Sequence, residues 1–222
     1  MKQAQITSEN TAAKDLGVIF SSGIGGLTTI QEQVIKMHEK GPKRVSPMFV
    51  PTAIVNMAAG NIALRIGAKN ICTSVVTACA SGTNAIGEAY RQIKEGRAKV
   101  MVAGGAEASV NAHGTATKAN DVAEAKAINL VFGEDSRVLV GSTKAMTGHL
   151  LGAAGAIEAI AVVASLQKGR LPVNIGMTEQ DKECKVNVVT QAKAHPEKLE
   201  YALSNSLGFG GHNAVLAFRK WS

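Results

Sequence analysis

The stretch "VVTACASGTNA", Val75 to Ala85, turns an apolar, β-branched run into small and polar residues within a few positions. Ile71 to Thr77 reads as a strand and Ser81 to Glu95 as a helix with Ala85, Ile86, Ala89, Tyr90 and Ile93 inward. Lys99 to Ala103 then reads as a second strand. Strand, helix and strand in this order make a βαβ unit, with its strands parallel in one sheet and a right-handed crossover. A sheet of that kind needs helices over it, so the chain is expected to be α/β.

How closely those helices lie follows from composition. Hydrophobic residues make up 45% of the 222 residues and aromatics only 4%, so Ala, Val, Ile and Leu must pack against 23 glycines. The length suits one sizeable core. Val18 to Ser22 is a short apolar strand entering "SSGIGGL", after which Leu27, Ile30, Val34 and Met37 recur at helical spacing as far as "EKG". "VPTAIVNMAAGNIALRIG" predicts a second buried helix, with Pro51 in its first turn and Ile54, Met57, Ala58 and Ile62 on one face. The second half predicts a helix over Asp121 to Phe132, a strand over Val138 to Gly141 and a long apolar helix from near Thr147. Strands over Lys185 to Val189, Tyr201 to Asn205 and Ala214 to Phe218 follow, hairpin-like or mixed in direction.

Several function classes fall away. The apolar run from Leu150 to Leu166 is interrupted by Glu158 and is shorter than the roughly 20 residues a bilayer span needs, so a core helix is expected. "MKQAQITSEN" has no apolar run after its lysine, so no signal peptide or targeting helix is indicated and a cytoplasmic protein is expected. Cys72, Cys79 and Cys184 form no CxxC pair, which argues against a disulfide framework or a thiolate zinc site. The formal net charge of +7 favours an acidic partner. The basic residues are scattered, however, with no aromatic platform between them, so no nucleic acid partner is expected.

A cysteine between a buried strand and a helix faces the unbonded N–H groups and positive end of that helix, which stabilise a thiolate. Ala78, Ala80, Ser81 and Gly82 are small enough to let a carbonyl approach Cys79. A buried core cysteine is the alternative, and the stretch alone leaves both open. "NAHGTAT" and "STKAMTGHLLGAAGA" each set a histidine, His113 and His149, beside a glycine where a strand gives way, the edge of an α/β sheet where ligands bind. A nucleophile with two imidazoles could act on a carbonyl. Zinc held by His113, His149 and His212 is the competing reading, without an HExxH or a closely spaced ligand pair to support it. "SNSLGFGGHNAVLAF" carries a Gly-Phe-Gly-Gly run that is either a tight turn or a close approach of a backbone N–H to a reacting oxygen. No phosphate-binding glycine motif is present.

"SSGIGGL", "TACASGTNAIGEA", "VMVAGGAEASV", "NAHGTAT", "STKAMTGHLLGAAGAIEA" and "ALSNSLGFGGHNA" together resemble a β-ketoacyl-acyl carrier protein synthase of the type II condensing enzymes, in the thiolase superfamily. The resemblance covers nearly everything after Leu16. It implies a thiolase-like layered α/β fold of two βαβαβ halves and a decarboxylative Claisen condensation in fatty acid biosynthesis. By this resemblance Cys79 takes the acyl chain, and His113 and His149 hold the malonyl thioester carbonyl and stabilise its enolate. The N–H groups of Cys79 and Phe209 match the oxyanion hole and the Phe209 ring a gate. Lys144 and Glu158 match a charged pair beneath the histidines. Thr115 and Thr117 resemble residues bonding the phosphopantetheine arm, and Ile24 a wall of the acyl pocket, with a plain core role as its alternative. The implied partners are an acidic acyl carrier protein, which brings the phosphopantetheine, and a second copy of the chain paired through the "KVMVAGGA" strand. No cofactor or metal of the chain's own is implied.

Compared with that family, the portion before "SSGIGGL" is reduced to "MKQAQITSENTAAKDLG", and "VMVAGGAEASV" runs directly into "NAHGTAT" where the family inserts a long segment. The expected organisation is an N-terminal extension over 1–17, a reduced nucleophile half over 18–110 and a histidine half over 111–222. A shortened, non-catalytic relative that binds acyl chains or pairs with a full-length synthase is the alternative.

Overall fold

β1 (Leu16–Ser21) is the central strand of the first sheet in this computed structural model, which describes residues 1, 3–106, 117–190 and 199–221. After it come α1 (Leu27–Lys40), α2 (Phe49–Ala53), α3 (Met57–Ile66), β2 (Cys72–Thr73), α4 (Ser81–Lys94) and β3 (Val100–Gly105). β2 and β3 both pair with β1 in parallel, giving the order β2-β1-β3. Residues of β1 alternate between faces: Val18 packs with Ala59 and Ala63 of α3, and Ile19 packs with Ala85 and Ala89 of α4. Both side chains are fully buried, each worth about 1.5–3 kcal/mol. At the other edge the Asn70 amide donates to the carbonyls of Lys14 (2.5 Å) and Arg97 (3.1 Å), tying together the approaches to all three strands.

The carboxyl ends of the three strands therefore share one edge. The expected strand over Ile71 to Thr77 is shorter than the periodicity suggests, because side chains replace the ladder beyond Thr73. The Ser74 hydroxyl donates to the Phe20 carbonyl (2.7 Å) and the Val75 N–H donates to the Ser21 hydroxyl (3.0 Å). The expected βαβ unit is present, with β1 lying between its two strands. Instead of one helix across "VPTAIVNMAAGNIALRIG" there are two, separated at Ile54–Asn56, and the alanines of α3 rather than Ile54 face the sheet. On α4, Tyr90 and Ile93 are exposed, and Thr83, Ala85, Ala89 and Gln92 occupy the inner face. Helix α1 forms over the expected residues, but Leu27, Val34 and Met37 remain exposed.

Further along are α5 (Lys118–Phe132), β4 (Leu139–Val140), α6 (Lys144–Thr147), α7 (Ala154–Lys168) and β5 (Asn187–Val188), with β5 parallel to β4. The chain ends in β6 (Tyr201–Gly208) and β7 (His212–Arg219), paired as a hairpin. The long helix expected from Thr147 begins only at Ala154, because Gly148 at φ +73° ends α6 and a 3-10 turn over Leu151–Ala153 intervenes. Leu151–Lys168 is by length and composition apolar enough to cross a membrane. It is 44% buried in the protein, and Glu158 in its course is ion-paired. Two compact units divide the chain, one of Met1–Ser109, Leu150–Ile157 and Asn205–Leu216, the other of Val110–His149, Glu158–Ser204 and Ala217–Ser222.

Within the first unit, glycines set how closely backbones approach. A Cβ on Gly105, at the end of β3, would stand 2.6 Å from the Gly152 carbonyl, and one on Gly82 would stand 2.9 Å from the Ala156 N and the Gly152 O. A Cβ on Gly155 would overlap the Thr83 hydroxyl. Neither neighbour at Gly82 or Gly105 is a flexible tip that could swing aside. Gly105→Ala should therefore lower stability by about 2 kcal/mol through overpacking, whereas Gly60→Ala in α3, where a Cβ meets nothing within 4 Å, should raise it by about 0.5–1 kcal/mol. Urea melts of the two variants check both signs.

Candidate active site

Cys79 is buried, 8% exposed, in a 3-10 turn over Ala78–Ala80 that joins the carboxyl edge of the sheet to α4. Ala78 has φ +46°, a left-handed conformation costly for a residue with a Cβ. Side chains hold it there. The Ser81 hydroxyl accepts from the Thr77 N–H (3.0 Å) and donates to the Ala78 carbonyl (2.6 Å), bracketing the turn, and the Asn84 amide donates to the Thr77 hydroxyl (2.9 Å). Because α4 begins at Ser81, its N-terminal dipole end lies beside the cysteine.

The Gly-Phe-Gly-Gly run comes to the same place. Phe209 opens a turn over Phe209–Gly211 between β6 and β7, with Gly210 and Gly211 at φ +78° and +79°. A Cβ on Gly208 would lie 3.0 Å from the Thr77 carbonyl, so the backbone entering this turn rests on the backbone two residues before Cys79. The Phe209 ring is 75% exposed. A sharp cysteine turn at a helix start, met by a second tight turn, can present a sulfur and backbone donors to one carbonyl.

In the second unit Lys144, opening α6, forms an ion pair with Glu158 of α7, both side chains largely buried. His149 is half-buried between Gly148 and the 3-10 turn over Leu151–Ala153. Thr117 caps the start of α5 by position and is exposed, its hydroxyl bonding no helix N–H. Ile24 sits in the loop after β1 at 50% exposure, which removes the plain core role. His113 and Thr115 lie outside the described residues. No disulfide joins the cysteines. Burial, followed by the charges of Asp181, Asp121 and Glu183, raises the Cys184 thiol above its ordinary pKa, so it stays protonated at neutral pH. Among the described residues no three of His, Cys, Asp or Glu are grouped to hold a metal. Sequence reasoning missed Ser81 and Asn84. The only trace of their role is a hydroxyl two positions after the cysteine.

Comparison with known proteins gives the family. Residues 80–178 match the family described as "Beta-ketoacyl synthase, C-terminal domain". The 3-oxoacyl-[acyl-carrier-protein] synthase 2 of Staphylococcus aureus (strain N315) is 32% identical over 327 aligned residues, covering 100% of this chain and 79% of that protein. That of Synechocystis sp. (strain ATCC 27184 / PCC 6803 / Kazusa) is 30% identical over 328, with the same coverages. The chain belongs to the β-ketoacyl synthase family. Both alignments are longer than the 222 residues of this family member, so the relatives carry stretches that it lacks. In fold it is similar to a type II polyketide synthase acyl-carrier protein complex with its ketosynthase bound to a hexaketide (TM-score 0.91, 21% identity, 100% of this chain and 82% of that one). It is also similar to a β-ketoacyl synthase from Burkholderia phymatum STM815 (TM-score 0.86, 24% identity, 99% and 78%). The thiolase-like α/β fold and the condensing acyltransferase class expected from the sequence hold for this synthase-family chain.

Two variants probe the supports. Ser81→Ala removes both bonds bracketing Ala78 and should cost about 2 kcal/mol, read in denaturant melts. Lys144→Met leaves the Glu158 charge uncompensated and should cost about 3 kcal/mol, while Lys144→Met with Glu158→Leu should recover most of it in a double-mutant cycle.

Proposed function

We propose that this chain is a β-ketoacyl-acyl carrier protein synthase that condenses malonyl-acyl carrier protein with an acyl chain held on Cys79. The observation that carries the reading is the strained, hydrogen-bonded turn presenting Cys79 at the start of α4, with the Phe209 turn against it. The Cys79 thiolate attacks the acyl thioester of the carrier, a new C–S bond forms as the carrier's C–S bond breaks, and the pantetheine sulfur leaves as a thiolate that takes a proton from solvent. Malonyl-carrier protein then loses carbon dioxide. Its enolate carbon attacks the Cys79 thioester, forming the C–C bond and returning the cysteine thiolate.

By family resemblance, the N–H groups of Cys79 and Phe209 stabilise the oxyanion and the exposed Phe209 ring gates the two half-reactions. His113 and His149 donate to the malonyl carbonyl, and the Lys144–Glu158 pair fixes the segment leading to His149. Thr115 and Thr117 bond the phosphopantetheine arm that the carrier brings, and Ile24, exposed in its loop, borders the acyl chain. The chain needs no cofactor of its own in this reading. Its net positive charge suits an acidic carrier protein, and β3, an edge strand, suits pairing with a second copy. Cysteines without disulfides suit a cytoplasmic location. The division into an extension over 1–17, a nucleophile half over 18–110 and a histidine half over 111–222 belongs to the same reading.

Intact mass after incubation with an acyl carrier protein thioester tests it. We expect one acyl adduct, lost in Cys79→Ala and kept in Cys184→Ala. His149→Ala should keep loading and lose release of carbon dioxide from malonyl-carrier protein by at least about a hundredfold. Absence of any adduct on the parent chain would favour a non-catalytic relative that binds acyl chains or pairs with a full-length synthase.

A further inference from the structure

One buried polar contact is not used by the mechanism. The hydroxyls of Thr83 and Ser206 meet at 2.6 Å, at 1% and 6% exposure, across 123 positions of sequence. Thr83 lies on α4, four residues after Cys79. Ser206 lies on β6, three residues before Phe209. The bond thus links the helix that starts at the nucleophile to the strand that delivers the second turn. Gly155 covers it so closely that a Cβ there would overlap the Thr83 hydroxyl and stand 2.7 Å from that of Ser206.

We infer that the Thr83–Ser206 hydroxyl pair is a positioning device that holds the Phe209 turn in register with the Cys79 turn. Two points define that register. Gly208 against the Thr77 carbonyl is one, a steric contact that sets distance without direction. The hydroxyl pair is the other, and being directional it fixes the slide of β6 along α4. Loss of the bond leaves the first point intact and frees the second. Both residues are buried, so both act through the two turns. Backbone donors aimed at an oxyanion tolerate little displacement, and misplacement by an ångström can cost about a hundredfold in rate.

This inference rests on the condensing function proposed above, and its test separates the two. Thr83→Val, Ser206→Ala and the double variant are compared with the parent and with Thr83→Ser, all checked for cooperative melting. The double variant keeps the site apolar and filled, with neither hydroxyl stranded, so it should melt close to the parent. In each of the three, acyl loading onto Cys79 should fall about tenfold in kcat with little change in KM, the double being no worse than the worse single, and Thr83→Ser should restore most of the rate. Loading at the parental rate in the stable double variant would overturn the inference, as would losses that add in the double. If the parent itself does not load, the proposed function fails, and iodoacetamide labelling of Cys79, read by peptide mass, decides the hydroxyl pair alone. Labelling should quicken about threefold or more in the double variant and return in Thr83→Ser. Equal labelling rates in parent and double variant would then overturn it.

Discussion

Backbone meets backbone without an intervening Cβ where Gly82 and Gly105 approach the Gly152 carbonyl. A helix and the end of a strand cannot come so close to the approach to α7 if either Gly82 or Gly105 carries a side chain. The same closeness explains the composition. A core in which Ala59, Ala63, Ala85 and Ala89 face a sheet of Val and Ile has little space for rings, and aromatics amount to 4% of the chain. Stability comes from many short contacts, and each is sensitive to a single added methyl group.

A scaffold of that kind can hold a strained turn. Left-handed Ala78 costs about 1–3 kcal/mol, and the two hydrogen bonds made by the Ser81 hydroxyl, each contributing about 1 kcal/mol, offset a cost of that order. Ser81 is itself fully buried at the first position of α4, where its hydroxyl has no water to prefer. The turn is thus set by the chain's own contacts.

How much of this was legible in the sequence depends on the range of the interaction. Strands β1 and β3 and helices α1, α4 and α5 follow from local periodicity, and their limits fall within a few residues of expectation. Cys79 at the strand-to-helix turn, Phe209 in a glycine turn and the Lys144–Glu158 pair follow from motif. Periodicity misplaced Tyr90, Ile93, Ile54 and, on α1, Leu27, Val34 and Met37, all exposed, because it reports which face is apolar and says nothing of what covers it. The bonds of Ser74 and Ser21 that cut β2 short, and the hydroxyl pair of Thr83 and Ser206, join residues more than fifty positions apart and leave no periodic signature.

That difference in range bears on what a shortened synthase can keep. The supports of the Cys79 turn, namely Thr77, Ser81, Asn84, Gly208 and Ser206, all belong to the first unit. The ion pair of Lys144 with Glu158 belongs wholly to the second, five residues before His149 in the case of its lysine. None of these contacts draws on a stretch found only in the longer relatives. The hydrogen bonds that hold the Cys79 turn and the ion pair before His149 are each closed within one unit.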